Sequence, residues 1–386
     1  MEWREGFFAT RDQELLLQAA LLEGSDAIEA WEKWKSITDF EGHMDRGSFR
    51  LLPLLYKNLQ HHGVRDPLMN RLKGVYRLVW YENQKLFYDM SEILRYLHNA
   101  GIKTMVLKGT ALTLLYYKNY GVRPMADIDI LVPTSQASSA IDLLRKAGWM
   151  STTKSIEKDL RYRHSTEFKN QSGKEFDLHW HLLFESCRED SDRDFWEGSV
   201  PTAVCGVSTS ALNPVDTLLH IIIHGVRWNP EPSIRWIADA MTVINYSDLE
   251  IDWRRLIEQA KTHRVGLRLK RALNYLKDKF QARIPSSVMA EVNDIPVSPV
   301  ERFEYRYIMN SQENALLGGF PLYLIEYLRL TNGTGLLPSV VEFPKFFQYR
   351  FNARNLRQLL FLILSAGIRR TNKKLLSKMI TDGTKS

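Results

Sequence analysis

The sequence predicts an α/β + α fold: a small mixed sheet with helices, flanked by N- and C-terminal helical regions. Three observations carry this expectation. Apolar residues recur at helical spacing through most of residues 11–100. From Gly101 the period changes to short runs rich in β-branched residues and bounded by glycine and proline. After Cys205 the helical spacing returns and leads to a basic C-terminal tail.

Each element follows in order. Leu15, Leu16, Ala19 and Leu22, then Ala27, Ala30, Trp31 and Trp34, mark two amphipathic helices. The stretches 51–59 and 72–97 continue the pattern, with Pro53 and Pro67 at helix starts or joints. Residues 102–107 read as a buried strand between Gly101 and Gly109. A helix over 111–118 follows, with Gly121 as its C-terminal cap. Residues 126–132 form a second strand stopped by Pro133, and 135–147 a helix ending at Gly148. Two further strands, 163–170 and 174–181, are joined by the Gln171-Ser172-Gly173 turn. Helices are expected over 213–225, with Pro214 in its first turn, and over 233–246, 253–260 and 266–280. Residues 295–299 hold two prolines and read as a linker. Four regions result: a helical region 1–100, an α/β core 101–205, a helical domain 206–295, and a helical region 296–386 with the tail.

The 386 residues suffice for two or three globular units. Hydrophobic residues make up 44% and charged residues 25%, as in ordinary soluble proteins. Charges interrupt the apolar N-terminal run, so no secretory signal is expected. The apolar stretch 359–368 is shorter than the ~20 residues a bilayer requires. A cytoplasmic location is expected. Two cysteines, Cys187 and Cys205, make neither a disulfide framework nor a cysteine zinc site. The net charge of +7 is concentrated: from Pro344 onward ten Lys or Arg face one acid, Asp382. That tail suits a peripheral contact with phosphates, an anionic surface or an acidic partner, or else a solvated helix face. Tryptophans and tyrosines are not interleaved with a basic stripe, so nucleic acid is not an expected partner.

The chemistry lies in the carboxylates. Side chains alternate along a strand, so Asp127 and Asp129 share one face and Ile128 and Ile130 the other. The two carboxylates sit roughly 7 Å apart, where like charges repel unless a cation joins them. Asp177 has the same setting in Glu175-Phe176-Asp177-Leu178, and Glu175 shares its face. Three such groups on adjacent strands would hold two divalent ions, Mg²⁺ or Mn²⁺, for an in-line displacement at phosphorus. Upstream, Lys108-Gly109-Thr110 runs from strand into helix. There Gly109 permits close approach, free N–H groups meet phosphate, and Thr110 adds a hydroxyl. Lys108 and Arg123 would neutralise phosphate charge, or balance the carboxylates themselves.

The stretches LKGTALTLLYY, RPMADIDILV and EFDLHWHL resemble the nucleotidyltransferase superfamily of polymerase-beta type. More closely, they resemble a nucleotidyltransferase-like family from bacterial polysaccharide and peptide natural-product gene clusters. The helical pattern before them and the later HIIIHGVRW and IRWIADA extend the likeness over about residues 10–260. The resemblance implies that Gly109 and Thr110 contact nucleotide phosphates and that Asp127, Asp129 and Asp177 bind metal. The superfamily usually has Gly-Ser or Gly-Gly where this chain has Gly109-Thr110.

Other residues have two readings. His179 and His181 share the face of Asp177 and line a cleft more readily than they bind zinc, because a third soft ligand is missing nearby. His220 and His224 lie one turn apart, but Ile221 follows His220, so no HExxH motif is present. Packing, or contact with nucleotide or acceptor, outweighs metal there. Arg227, Arg235 and Asp239 are candidates for the cleft wall, with an Arg235–Asp239 helix pair as the alternative for the last two. The expected function is metal-dependent transfer of a nucleotidyl group from an NTP to a hydroxyl or phosphate. Two alternatives are glycosyl transfer from a nucleotide-sugar to a small molecule or peptide, and a non-catalytic nucleotide-binding scaffold.

Overall fold

The structure is a computed structural model that describes residues 8–152, 155–188, 190–227, 234–247, 249–309, 320–331 and 336–359. The chain forms two compact units, Met1–Val297 and Ser298–Ser386.

The first unit opens with five helices: α1 (Arg11–Leu21), α2 (Gly24–Ile37), α3 (Arg46–Phe49), α4 (Leu52–His61) and α5 (Met69–Asn99). A capping box between Thr10 and Gln13 starts α1, and Pro53 sits in the first turn of α4. Leu16, Leu17, Trp31, Leu55 and Leu59 are buried, so the helical spacing reads the packing correctly here. The second half of α5 belongs to the central core. Phe87, Met90, Leu94 and Leu97 join Ile130, Val132, Phe168 and Phe176 there.

Seven strands form one mixed sheet: β1 (Met105–Val106), β2 (Asp129–Leu131), β3 (Met150–Ser151), β4 (Ser165–Lys169), β5 (Glu175–His179), β6 (Val200–Val204) and β7 (Val207–Ala211). Their order is β3-β4-β5-β2-β1-β7-β6, with β2/β5 and β1/β7 parallel and the remaining pairs antiparallel. The first two strands are shorter than their apolar runs. In particular, Asp127 precedes β2, so strand alternation does not govern its direction.

Three expectations are corrected. Residues 200–211 form a hairpin across the expected boundary at 205, and β7 completes the sheet against β1. Its small polar residues hid it, although Cys205 (φ 46°) and Gly206 (φ 80°) supply the two left-handed residues of a tight hairpin turn. The helix after β1 starts earlier, as α6 (Lys108–Leu112), and continues as a π-helical turn, Thr113–Tyr117. Lys118 (φ 49°) ends it, rather than Gly121. At Gly121 a Cβ would stand 2.4 Å from the Tyr76 ring, so close approach explains that glycine.

The other helices are α7 (Thr134–Lys146), α8 (Ile156–Tyr162), α9 (Arg193–Glu197), α10 (Pro214–Gly225), α11 (Arg235–Tyr246), α12 (Trp253–Thr262), α13 (Gly266–Phe280) and α14 (Ser286–Asp294). The second unit holds α15 (Pro299–Met309), α16 (Phe320–Leu330) and α17 (Leu336–Arg350), in which Tyr327 packs on Phe343 and Phe346. Residues 332–335 and 360–386, with six of the tail's basic residues, lie outside the described residues. Within α17, Lys345 and Arg350 pair with Glu342 and Glu326. No described helix is long and apolar enough to cross a membrane.

One buried polar residue ties α5 to the segment that leads into β2. Asn83 donates to the carbonyls of Tyr120 (2.6 Å) and Arg123 (2.8 Å) and accepts from the Met125 N–H at 3.3 Å. Asn83→Ala would orphan these groups in a buried place. We expect a loss of about 3 kcal/mol in urea unfolding, with the segment around Met125 losing hydrogen-exchange protection first.

Candidate active site

The parallel pairing of β2 with β5 sets Asp129 directly beside Asp177 and Leu131 beside His179. The ligand atoms of Asp129, Asp177 and His179 all lie within 4.8 Å of one another. Asp129 is only 2% exposed, whereas Asp177 is half-buried. Two donors converge on one oxygen: Lys108 Nζ lies 2.7 Å and His179 Nε2 3.0 Å from Asp129 Oδ1. Lys108 takes a left-handed backbone (φ 45°) at the turn from β1 into α6. A side chain with a Cβ adopts that conformation at a cost, so the surrounding fold must hold it there.

The electrostatics follow from this packing. Burial alone would raise the Asp129 carboxyl, but Lys108 and His179 outweigh it and hold the group far below the usual carboxylate range. Asp177 is pushed upward, first by burial and then by the negative charge of Asp129. The two neighbouring carboxylates therefore differ: one is firmly ionised, the other is a readier proton acceptor.

A cavity of about 120 Å³ is reached from this group through Lys108, and neither Asp129 nor Asp177 lines it. Its walls include Lys108, Gly109, Asp127, His220, His224 and Arg235. A smaller cavity of 10 Å³ shares Lys108, His220 and His224 with it and adds His179 and Arg227. His220 is buried; burial, then repulsion from Lys108 and His179, lowers its imidazole to about 3.

Several residues stand elsewhere than the sequence reading places them. Asp127 is exposed and lines the larger cavity, but it is not part of the Asp129–Asp177–His179 group. Arg123 is buried in a two-bond ion pair with Asp239, both bonds 2.8 Å, so its charge is already matched. Arg235 does not make that pair; it donates to the Pro124 carbonyl at 2.7 Å. Thr110 is 1% exposed inside α6 and does not line either cavity. The space of a Cβ at Gly109 is filled by Arg123 and Met125, at 2.5 and 2.7 Å. His181 is drawn to Asp192, at 2.6 Å, because β5 ends at His179 and the chain turns. Glu175 is exposed and pairs with Lys169. Arg227 pairs with Glu185 at 3.1 Å.

Sequence reasoning missed Asp239 as the partner of Arg123, and Tyr117, whose hydroxyl donates to the same carboxylate at 2.9 Å. The signal was present: Asp239 stands among apolar residues of α11, and a lone acid there needs a partner. A second ligand-bearing group, Glu23, His61 and His62, lies among the N-terminal helices at the surface.

His220 gives a pH prediction. Its proton is held less tightly in the folded chain than in the unfolded one, so its contribution to stability is complete above about pH 6.5 and is lost as pH falls toward 3. Between pH 6 and 4, His220→Asn should reduce the slope of unfolding free energy by up to about 1.4 kcal/mol per pH unit. Urea titrations at stepped pH measure this. Equal slopes for the two proteins would show that His220 is not held neutral.

Residues 48–281 match the model of a family described as uncharacterised nucleotidyltransferase. Among solved structures, the chain is similar to an antigenic nucleotidyltransferase-like protein from Paracoccidioides brasiliensis. The two share 14% identity over 53% of this chain and 96% of the other, with a TM-score of 0.37. No curated protein gives a significant match. The family match spans well over half of the sequence, including α5, the whole sheet, both cavities and α10 to α13. The chain therefore belongs to the uncharacterised nucleotidyltransferase family.

Proposed function

We propose that this protein transfers a nucleotidyl group from an NTP to a hydroxyl or phosphate acceptor at the Asp129–Asp177 pair. One observation carries the reading: two carboxylates from parallel neighbouring strands share a register position, one buried and one half-open, and Lys108 links the buried one to a cavity whose wall also holds Asp127 and Arg235. The donor set fits a hard divalent ion. Asp129 and Asp177 offer oxygens, which suit Mg²⁺, and His179 adds a nitrogen that Mn²⁺ accepts more readily. When bound, such an ion lowers the charge on the phosphates and on the departing pyrophosphate.

The chain's own residues do the rest. Lys108 and Arg235 present positive charge to the triphosphate in the cavity. Asp177, the half-open carboxylate of the pair, accepts the proton of the acceptor hydroxyl. The acceptor oxygen then bonds to the α-phosphorus as the bond to the bridging oxygen breaks, and pyrophosphate leaves. Asp127, on the cavity wall, adds negative charge that acts on Asp177.

The test uses labelled NTPs with Mg²⁺ or Mn²⁺ and a panel of hydroxyl and phosphate acceptors. Asp129→Asn and Asp177→Asn should each lower transfer by more than about a hundredfold while leaving the far-ultraviolet spectrum unchanged. Transfer that persists in the double variant would sink this assignment.

A further inference from the structure

We propose that Lys108 is a built-in rival of the divalent cation. Its ammonium competes for Asp129, so that the cation binds well only when nucleotide phosphates draw the ammonium away. The inference rests on the preceding reading of Asp129 as a metal ligand, and it adds an order of events to that site.

Three observations point to it. The ammonium lies 2.7 Å from Asp129 Oδ1, and that same oxygen also meets His179. Asp129 is 2% exposed, so water cannot screen a second cation brought to the same carboxylate. An ammonium and a divalent ion held by one buried carboxylate stand a few ångströms apart and repel each other almost unscreened, whichever oxygen the ion takes. Finally, Lys108 lines both cavities and keeps a fifth of its side chain exposed. The four-carbon stem gives the ammonium a way from the carboxylate into the 120 Å³ cavity, where His224 and Arg235 also line the wall.

The consequence is coupling. A triphosphate in the cavity attracts the ammonium, the ammonium leaves Asp129, and the carboxylate becomes free for the cation. By linkage, the cation must strengthen nucleotide binding by the same factor. Idle loading with metal alone is thereby suppressed.

The test reads Mn²⁺ affinity by electron paramagnetic resonance, with and without a non-hydrolysable NTP analogue. Lys108→Met should bind Mn²⁺ tenfold or more tightly than the wild type when no nucleotide is present, and should gain less from the analogue. Lys108→Arg, which keeps the charge, should bind Mn²⁺ alone as weakly as the wild type. Asp129→Asn should abolish the site in either background. If Lys108→Met fails to fold by circular dichroism, Lys108→Gln replaces it. If Mn²⁺ binds at an Asp129-dependent site with equal affinity in wild type and Lys108→Met, the rivalry is refuted and the metal reading stands. If neither protein binds Mn²⁺, with or without the analogue, both fail together.

Discussion

A carboxylate taken out of water must be met by positive charge, and Asp129 is the place where this chain accepts that constraint. Its register position beside Asp177 makes the demand stronger, because a second acid stands on the adjoining strand. Lys108 answers it with an ammonium, and His179 adds a hydrogen bond from a second direction. Much of the local geometry is arranged to bring them there. β1 ends at Val106, the backbone turns through a left-handed Lys108, and α6 begins at once. His179 is the last residue of β5, so its ring lies beside Asp129, while the chain beyond it turns away and commits His181 to Asp192.

Around this centre lies a second set of buried polar contacts that fixes the segment 120–125. Asn83 holds it from α5, and Asp239 holds Arg123 from α11, with Tyr117 on the same carboxylate. Removing one member of such a network strands its partners in a medium that solvates them poorly. Burial and the Asp239 charge push the Tyr117 hydroxyl well above its ordinary value, so it stays a neutral donor. The π-helical turn at 113–117 carries Tyr117. Extra residues in a helical turn are commonly kept at functional sites. The cavity beside Asp129 is thus walled partly by residues whose charges are already spent on each other. Lys108, paired with Asp129 outside the wall, and Arg235, which donates to a carbonyl, are the wall cations outside the Arg123–Asp239 pair.

The fold class was legible because its signal is local. Helical spacing located α1, α2, α5 and α10 to α13, a Gly-bounded apolar run located β1, and a run stopped by Pro133 located β2. The β6/β7 hairpin was not legible: Thr, Ser and Ala at alternate positions lack the apolar contrast that marks a half-buried strand. The site was legible in part. Asp129, Asp177 and Lys108, singled out from motif and alternation, lie together in the structure. Asp127 was grouped with Asp129 on the assumption of a strand that begins two residues later.

The amino-acid sequence by itself determined which residues can carry charge, where the helical and strand periods run, and that two acid-bearing strands exist. Those properties reside in neighbouring residues along the chain. Only the tertiary structure decided which acids and cations meet. Lys108 and Asp129 are 21 residues apart, Asp129 and His179 50, and Arg123 and Asp239 116. Each pairing is selected by the cost of leaving a charge unmatched in the interior, and that cost is felt only once strand order and helix packing have removed the water.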